Sequence, residues 1–182
     1  MTTTASRFRR VADNLTTRIG SVPDDRWEAP SPCEGWTARD VVQHLVDVLA
    51  RTPGFVGLSI PPGPSVADDP VAAWAHVRDA MQEILDDPER ANREYDGYFG
   101  RTTLAATVDS FVCFDLIVHG WDLARAAGLD ETIPPHDVED AFVLAEQLGD
   151  NLRQPGVCGP AVAVADGADR QTKLLAFLGR TP

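Results

Sequence analysis

Residues 103–127 constrain the fold of this chain most. They read as one long apolar helix that must be buried, yet the helix carries ionisable groups on its apolar stripe. At about 3.6 residues per turn, Asp115, His119 and Asp122 share one face. That face continues Val108, Phe111 and Val112, which predicts a core-facing line. Ionisable groups on such a line are costly unless they are paired. An Asp and a His at i and i+4 stand about one turn apart, a spacing that lets both grip a single ion. A third ligand would have to come from elsewhere, and His44 is the candidate.

Four further helices can be read from apolar spacing. The first covers 6–20, with Phe8, Val11, Ala12, Leu15 and Ile19 on one stripe. In the second, Thr37 and Asp40 approximate a capping box ahead of Val41, Leu45, Val48 and Leu49, and His44 lies between Val41 and Val48. Pro53-Gly54 stops it, and a long Pro-rich loop follows. Asp69-Pro70 reads as an N-cap with proline at the first helical position of a third helix, which carries Val71, Trp74, Val77, Met81, Ile84 and Leu85. Tyr95, Tyr98 and Phe99 suggest a short extended piece within 89–101. The helix at 103–127 is the fourth, ending at Gly128; the fifth follows Pro134-Pro135 with Val138, Ala141, Phe142, Ala145, Leu148 and Leu152. A Gly/Pro-rich crossing over 155–159 leads to a short apolar segment over 174–178. Long amphipathic helices with little strand signal imply an all-α helical bundle with extended crossovers.

Size and charge narrow the function. A chain of 182 residues corresponds to roughly one domain, so a single domain over 1–182 is expected. The net charge of −12, with Lys173 the one lysine and the arginines scattered, argues against a nucleic-acid partner. No run of about 18 apolar residues and no apolar stretch behind the N-terminal charges occur, so neither a membrane partner nor a secretory signal is expected. Three cysteines, Cys33, Cys113 and Cys158, with no CxxC pair, point to a reduced cytoplasmic setting. Cys113 reads as core.

His44, Asp115 and His119 together form a candidate divalent-metal site. Imidazole nitrogen with carboxylate oxygen suits zinc first, and also nickel, iron or manganese. Three protein ligands leave a position for water or a substrate atom, as in catalytic sites, where a metal lowers the pKa of bound water or thiol. Asp122 is a candidate to orient His119 from behind, or else to pair with Arg125 at the surface. Spacing alone leaves a helix-surface pair and a core histidine as the alternatives. Cys33, ahead of the second helix, is a weaker candidate nucleophile, the alternative being a loop thiol tucked against Trp36. Trp27 and Trp36 read as packing anchors, and His76 and His136 have no partners at suggestive spacing.

Pro32-Cys33-Glu34-Gly35-Trp36-Thr37, followed by Asp40-Val41-Val42-Gln43-His44-Leu45, resembles the opening motif of the DinB-like superfamily. With the segment 115–128, "DLIVHGWDLARAAG", and the tail "LLAFLG", it is similar to the branch grouped with the N-terminal domain of mycothiol-dependent maleylpyruvate isomerase, and to small stand-alone actinobacterial metal-binding members. The likeness covers nearly the whole chain. It implies a DinB-like four-helix bundle with long crossovers and an additional C-terminal helix, and a metal held by His44, Asp115 and His119. Two departures stand out. The isomerase has a glutamate where this chain has Asp115, and it carries a C-terminal domain for which 182 residues leave no room.

The resemblance implies a metal-dependent transferase or isomerase using a low-molecular-weight thiol such as mycothiol as cosubstrate, with an electrophilic second substrate. Two other functions compete with it. One is a non-enzymatic module that binds a partner through the Pro-rich loop with Phe55, Val56, Leu58 and Ile60; the other is metal-assisted hydrolysis by the same ligands. A homodimer is a reasonable assembly for an apolar bundle of this size.

Overall fold

The computed structural model describes residues 3–154 and 156–182. Met1 and Thr2, at the N-terminal end, and Pro155, at the start of the expected 155–159 crossing, lie outside the described residues. Helix α1, Thr4–Gly20, begins where the Thr3 side chain accepts from the Ser6 amide, and it buries the whole predicted stripe from Phe8 to Ile19. Helix α2, Ala38–Arg51, starts with a complete capping box between Thr37 and Asp40. It buries Val41, Val42, Leu45 and Leu49, while Val48 is half-buried. A 3-10 turn, Thr52–Val56, follows. The loop beyond it is less open than expected: Phe55 is exposed, but Val56, Leu58 and Ile60 pack against the core.

Asp69 caps α3, Pro70–Leu85, which buries Trp74, Val77, Met81, Ile84 and Leu85; Val71, in the first turn, is exposed instead of joining the stripe. A short α4, Pro88–Ala91, leads into an antiparallel hairpin of β1, Glu94–Gly97, and β2, Gly100–Thr103, paired Glu94 to Thr103 and Gly97 to Gly100. The hairpin is the extended piece suggested by Tyr95, Tyr98 and Phe99, and Tyr98 and Phe99 form its tip.

The chain then runs without a break through α5, Leu104–Thr107, a π-helical segment, Val108–Val112, and α6, Cys113–Ala127. Gly128 ends it with φ at 71°, a left-handed conformation that glycine adopts at no steric cost. The π segment corrects the predicted stripe. Its wider hydrogen-bonded turn interrupts the 3-and-4 spacing of an α-helix. Val108 and Val112 stay buried, while Phe111 turns outward and is 38% exposed. Below it the stripe descends from a partly open Asp115, through a mostly covered His119, to Asp122, which has no exposed surface.

Helices α1, α2, α3 and α6 make the principal packing, α1 against α6 and α3, and α2 against α3 and α6. Helix α7, Pro135–Leu148, joins α6 and α8, Arg170–Phe177, with a 3-10 turn, Gly149–Arg153, between. The protein is therefore mostly helical, with one two-stranded hairpin. Full burial of side chains such as Leu15, Leu45 and Met81 contributes about 1.5–3 kcal/mol each relative to exposure. Among the described residues only the continuous helix Leu104–Ala127 is long and apolar enough to cross a membrane, and 61% of its most apolar window is buried inside the protein.

Candidate metal centre

The site lies where the turn before α2 meets the lower half of α6. That turn is held tightly. Pro30 bridges Thr37, the Ser31 amide donates to the Trp36 carbonyl at 2.8 Å, and the Trp36 amide donates to the Cys33 carbonyl at 3.0 Å. Gly35, at φ 77°, takes the left-handed position that closes the turn. Cys33 and Trp36 are thereby presented together toward α6. Trp27 is a packing anchor as expected, buried with the Arg39 guanidinium 5.5 Å from its ring centroid. Trp36 does more than anchor: its ring lies 5.0 Å from that of His44 and 5.8 Å from that of His119.

Of the three residues nominated from sequence, His44 stands beside each of the other two, although the three do not bring their ligand atoms within 4.8 Å of one another. The His44 and His119 rings meet at 4.8 Å, edge to face, and His44 Nε2 lies 3.7 Å from Asp115 Oδ2. Two atoms each about 2.0–2.2 Å from one tetrahedral ion stand roughly 3.4 Å apart, so the His44–Asp115 gap is close to that of a shared ligand pair. Asp115 and His44 both keep part of their surface open, which leaves a face of the site accessible.

Asp122 closes the site from beneath. Its Oδ2 accepts from His119 Nδ1 at 2.9 Å, from Arg180 Nη2 at 2.8 Å and from the Cys33 thiol at 3.3 Å, and its Oδ1 accepts from Arg180 Nε at 3.2 Å. Burial alone would raise the Asp122 carboxyl, but the His119 and Arg180 hydrogen bonds and the Arg180 charge outweigh it and bring it to about 2. An ionised carboxylate only accepts, so the proton between Asp122 and His119 sits on Nδ1. In a neutral imidazole so bonded, the lone pair lies on Nε2. The alternative pairing of Asp122 with Arg125 does not occur, because Arg125 is taken by Glu131 at 2.7 Å.

Arg180 gave no signal in the sequence. It follows α8 and the left-handed turn at Gly179, and its buried guanidinium also donates to the Leu178 carbonyl at 3.0 Å. Burial works against its charge, but the Asp122 hydrogen bonds and charge raise its pKa above the usual arginine value. Cys33 is pushed up to about 12, first by burial and then by the Asp122 charge, with Arg180 offsetting only part. Cys33, the weaker candidate nucleophile, is therefore held as a thiol donating to the Asp122 carboxylate, which disfavours the thiolate.

Cys33, His119 and Asp122 also form a candidate metal group, with ligand atoms within 4.8 Å of one another. Two features weigh against an ion among them. The Arg180 guanidinium already occupies Asp122 as its counter-charge, and Cys33 would have to lose a strongly held proton. His44, Asp115 and the free Nε2 of His119 carry no such competing cation. His76 bonds the Pro61 carbonyl and His136 lies in solvent, so neither joins the site.

Residues 8–124 match the mycothiol maleylpyruvate isomerase N-terminal domain family, and the chain belongs to that family. It is similar to two uncharacterized proteins of Mycobacterium tuberculosis, from strains CDC 1551 / Oshkosh and ATCC 25618 / H37Rv. Each is 27% identical over 178 residues, covering 95% of both chains. No solved structure matches the chain.

Proposed function

We propose that this protein is a divalent-metal-dependent transferase or isomerase that uses a low-molecular-weight thiol, mycothiol in the first instance. In this reading His44, Asp115 and His119 hold the metal at one end of a DinB-like four-helix bundle. The observation that carries it is the Asp122–His119 hydrogen bond of 2.9 Å, which orients the imidazole through Nδ1 and turns its other nitrogen away from Asp122, with the His44 ring 4.8 Å off and Asp115 3.7 Å from His44. Family membership supports the thiol. A bound divalent metal, zinc first among the candidates, would supply Lewis acidity and stabilise a thiolate at neutral pH.

The chain's own residues divide the remaining work. Asp122 orients His119, and Arg180 keeps Asp122 ionised. Trp36 covers two of the ligand rings and limits water access from the side of the α2 turn. The open sides of His44 and Asp115 are where thiol and electrophile would meet. In a transfer, the thiol sulfur bonds to an electrophilic carbon, the leaving group departs with its electron pair, and the thiol proton passes to solvent. The reading includes a reducing, cytoplasmic setting, supported by three cysteines that form no disulfide.

Elemental analysis of protein purified without a histidine tag tests the metal, with about one ion per chain expected. His44→Ala and His119→Ala should lose it with helicity unchanged, while Cys33→Ser should keep it. Retention in His44→Ala with loss in Cys33→Ser would move the ion to the Cys33–His119–Asp122 group. Conjugation of mycothiol to a chlorinated nitroarene tests the reaction. Unchanged turnover in a folded His119→Ala protein would sink the proposal.

A further inference from the structure

On the far side of Asp115 the protein opens into a cavity that the metal-centre argument does not use. Its volume is about 1110 Å³, and it lies between the end of α2 and the hairpin, with Val112 and Asp115 in its wall. A second hollow of about 390 Å³ meets it at Tyr98, Phe99, Phe111 and Asp115. The distribution of exposed rings is the informative feature. Among the described residues, all four exposed large aromatics line these two hollows: Phe55 at 56%, Tyr98 at 86%, Phe99 at 62% and Phe111 at 38% exposure. Phe99 and Phe111 lie parallel within 7°, and Phe55 stacks on Tyr95 at 5.2 Å. Large rings held open to water around one concavity mark a ligand surface better than scattered exposure does.

Four charged side chains stand in the same wall, Arg51, Arg101, Asp96 and Asp115, and of its two cations one has no carboxylate partner. Arg51 donates from Nε to the Asp47 carbonyl and has no carboxylate partner among the described residues, whereas Arg101 is paired with Glu94 at 2.8 Å. The π segment is what turns Phe111 toward this cavity instead of the core, so the feature that breaks the helical stripe also builds the wall.

The geometry points to a specificity subsite for a one- or two-ring aromatic anion, its rings against Phe99 and Phe111 and its acid group on Arg51. The inference rests on the reading above only in taking the Asp115 end of the cavity as the reactive end; it then names the electrophile as aromatic and anionic. Aromatic rings supply stacking partners on a planar ligand, and Arg51 supplies charge complementarity.

The test is fluorescence titration of the full chain with 5-dimethylaminonaphthalene-1-sulfonate, a two-ring aromatic anion, and with its neutral sulfonamide. Saturable binding at one site is expected for both. Phe99→Ser and Phe111→Ser should each weaken it about tenfold, a loss on the scale of one good aromatic contact. Tyr98→Ser, on the most exposed ring, serves as a further variant should either fold poorly. Arg51→Gln should weaken the anion severalfold and leave the neutral dye unchanged. His119→Ala should bind both dyes as the parent does. Absence of saturable binding, or Phe99 and Phe111 variants that bind as tightly as the parent, would overturn the inference. The two proposals fail separately: metal content and thiol turnover without dye binding leave the metal centre standing, and dye binding without metal leaves the subsite standing.

Discussion

At the scale of single residues, Asp122 governs the stability of the site. Its folded pKa of about 2 lies below the ordinary 3.8, so its contribution is fully present above pH 4 and fades as pH falls through 2. That depression corresponds to about 2 kcal/mol. Asp122→Asn strips the buried Arg180 of its counter-charge and should cost about 3–5 kcal/mol at pH 7. In urea unfolding of metal-free protein, that gap to the parent should narrow by about 2 kcal/mol as the pH approaches 2; a gap independent of pH would refute the assignment. Cys33 makes a second prediction. A thiol pushed from 9.0 to about 12 carries roughly a thousandfold less thiolate, so iodoacetamide at pH 8 should label Cys33 far more slowly in the folded protein than in urea, as read by mass spectrometry. Labelling at equal rates would show that the thiol is not held by Asp122. Of this network only the Asp122–His119 pair, three residues apart on one helix, is legible locally. The Cys33–Asp122 and Arg180–Asp122 contacts span 89 and 58 residues, and no periodicity encodes a partner that distant.

At the scale of elements, the turn before α2 carries more than its length suggests, because it positions Cys33 and Trp36 together. A Cβ on Gly35 would meet nothing within 4 Å, so Gly35→Ala should act through the backbone alone, at φ 77°. The expected loss is about 1–2 kcal/mol in urea unfolding; Gly20→Ala, at a position with neither positive φ nor crowding, is the control. The main helices and the α2 capping box were legible in the sequence because a buried stripe specifies each helix, and two residues the box, locally. The π segment was not, since Val108, Phe111 and Val112 read as an ordinary α stripe and only the packing of α5 and α6 decides which of the three turns out. The approach of His44 to Asp115 and to His119 was suggested for the opposite reason: a D-x-x-x-H spacing and a histidine between two stripe positions are local facts.

At the scale of the whole molecule, Arg180 ties the segment after α8 to α6 across the site. Arg180→Ala should leave Asp122 buried without a cation and free His119 to tilt, lowering metal affinity by about 10–100-fold alongside the stability loss. Competition against a fluorescent chelator measures the first and denaturant unfolding the second; unaltered affinity with reduced stability would make Arg180 purely structural. Trp36 has a further consequence. It is an intrinsic optical probe stacked on the His119 imidazole and tilted against that of His44, while Trp27, Trp74 and Trp121 are buried in the core. Paramagnetic copper(II) or nickel(II) entering between His44 and His119 should darken its emission. Loss of that quenching in Trp36→Phe, with the remaining three indoles unaffected, would let occupancy be followed in real time without a label.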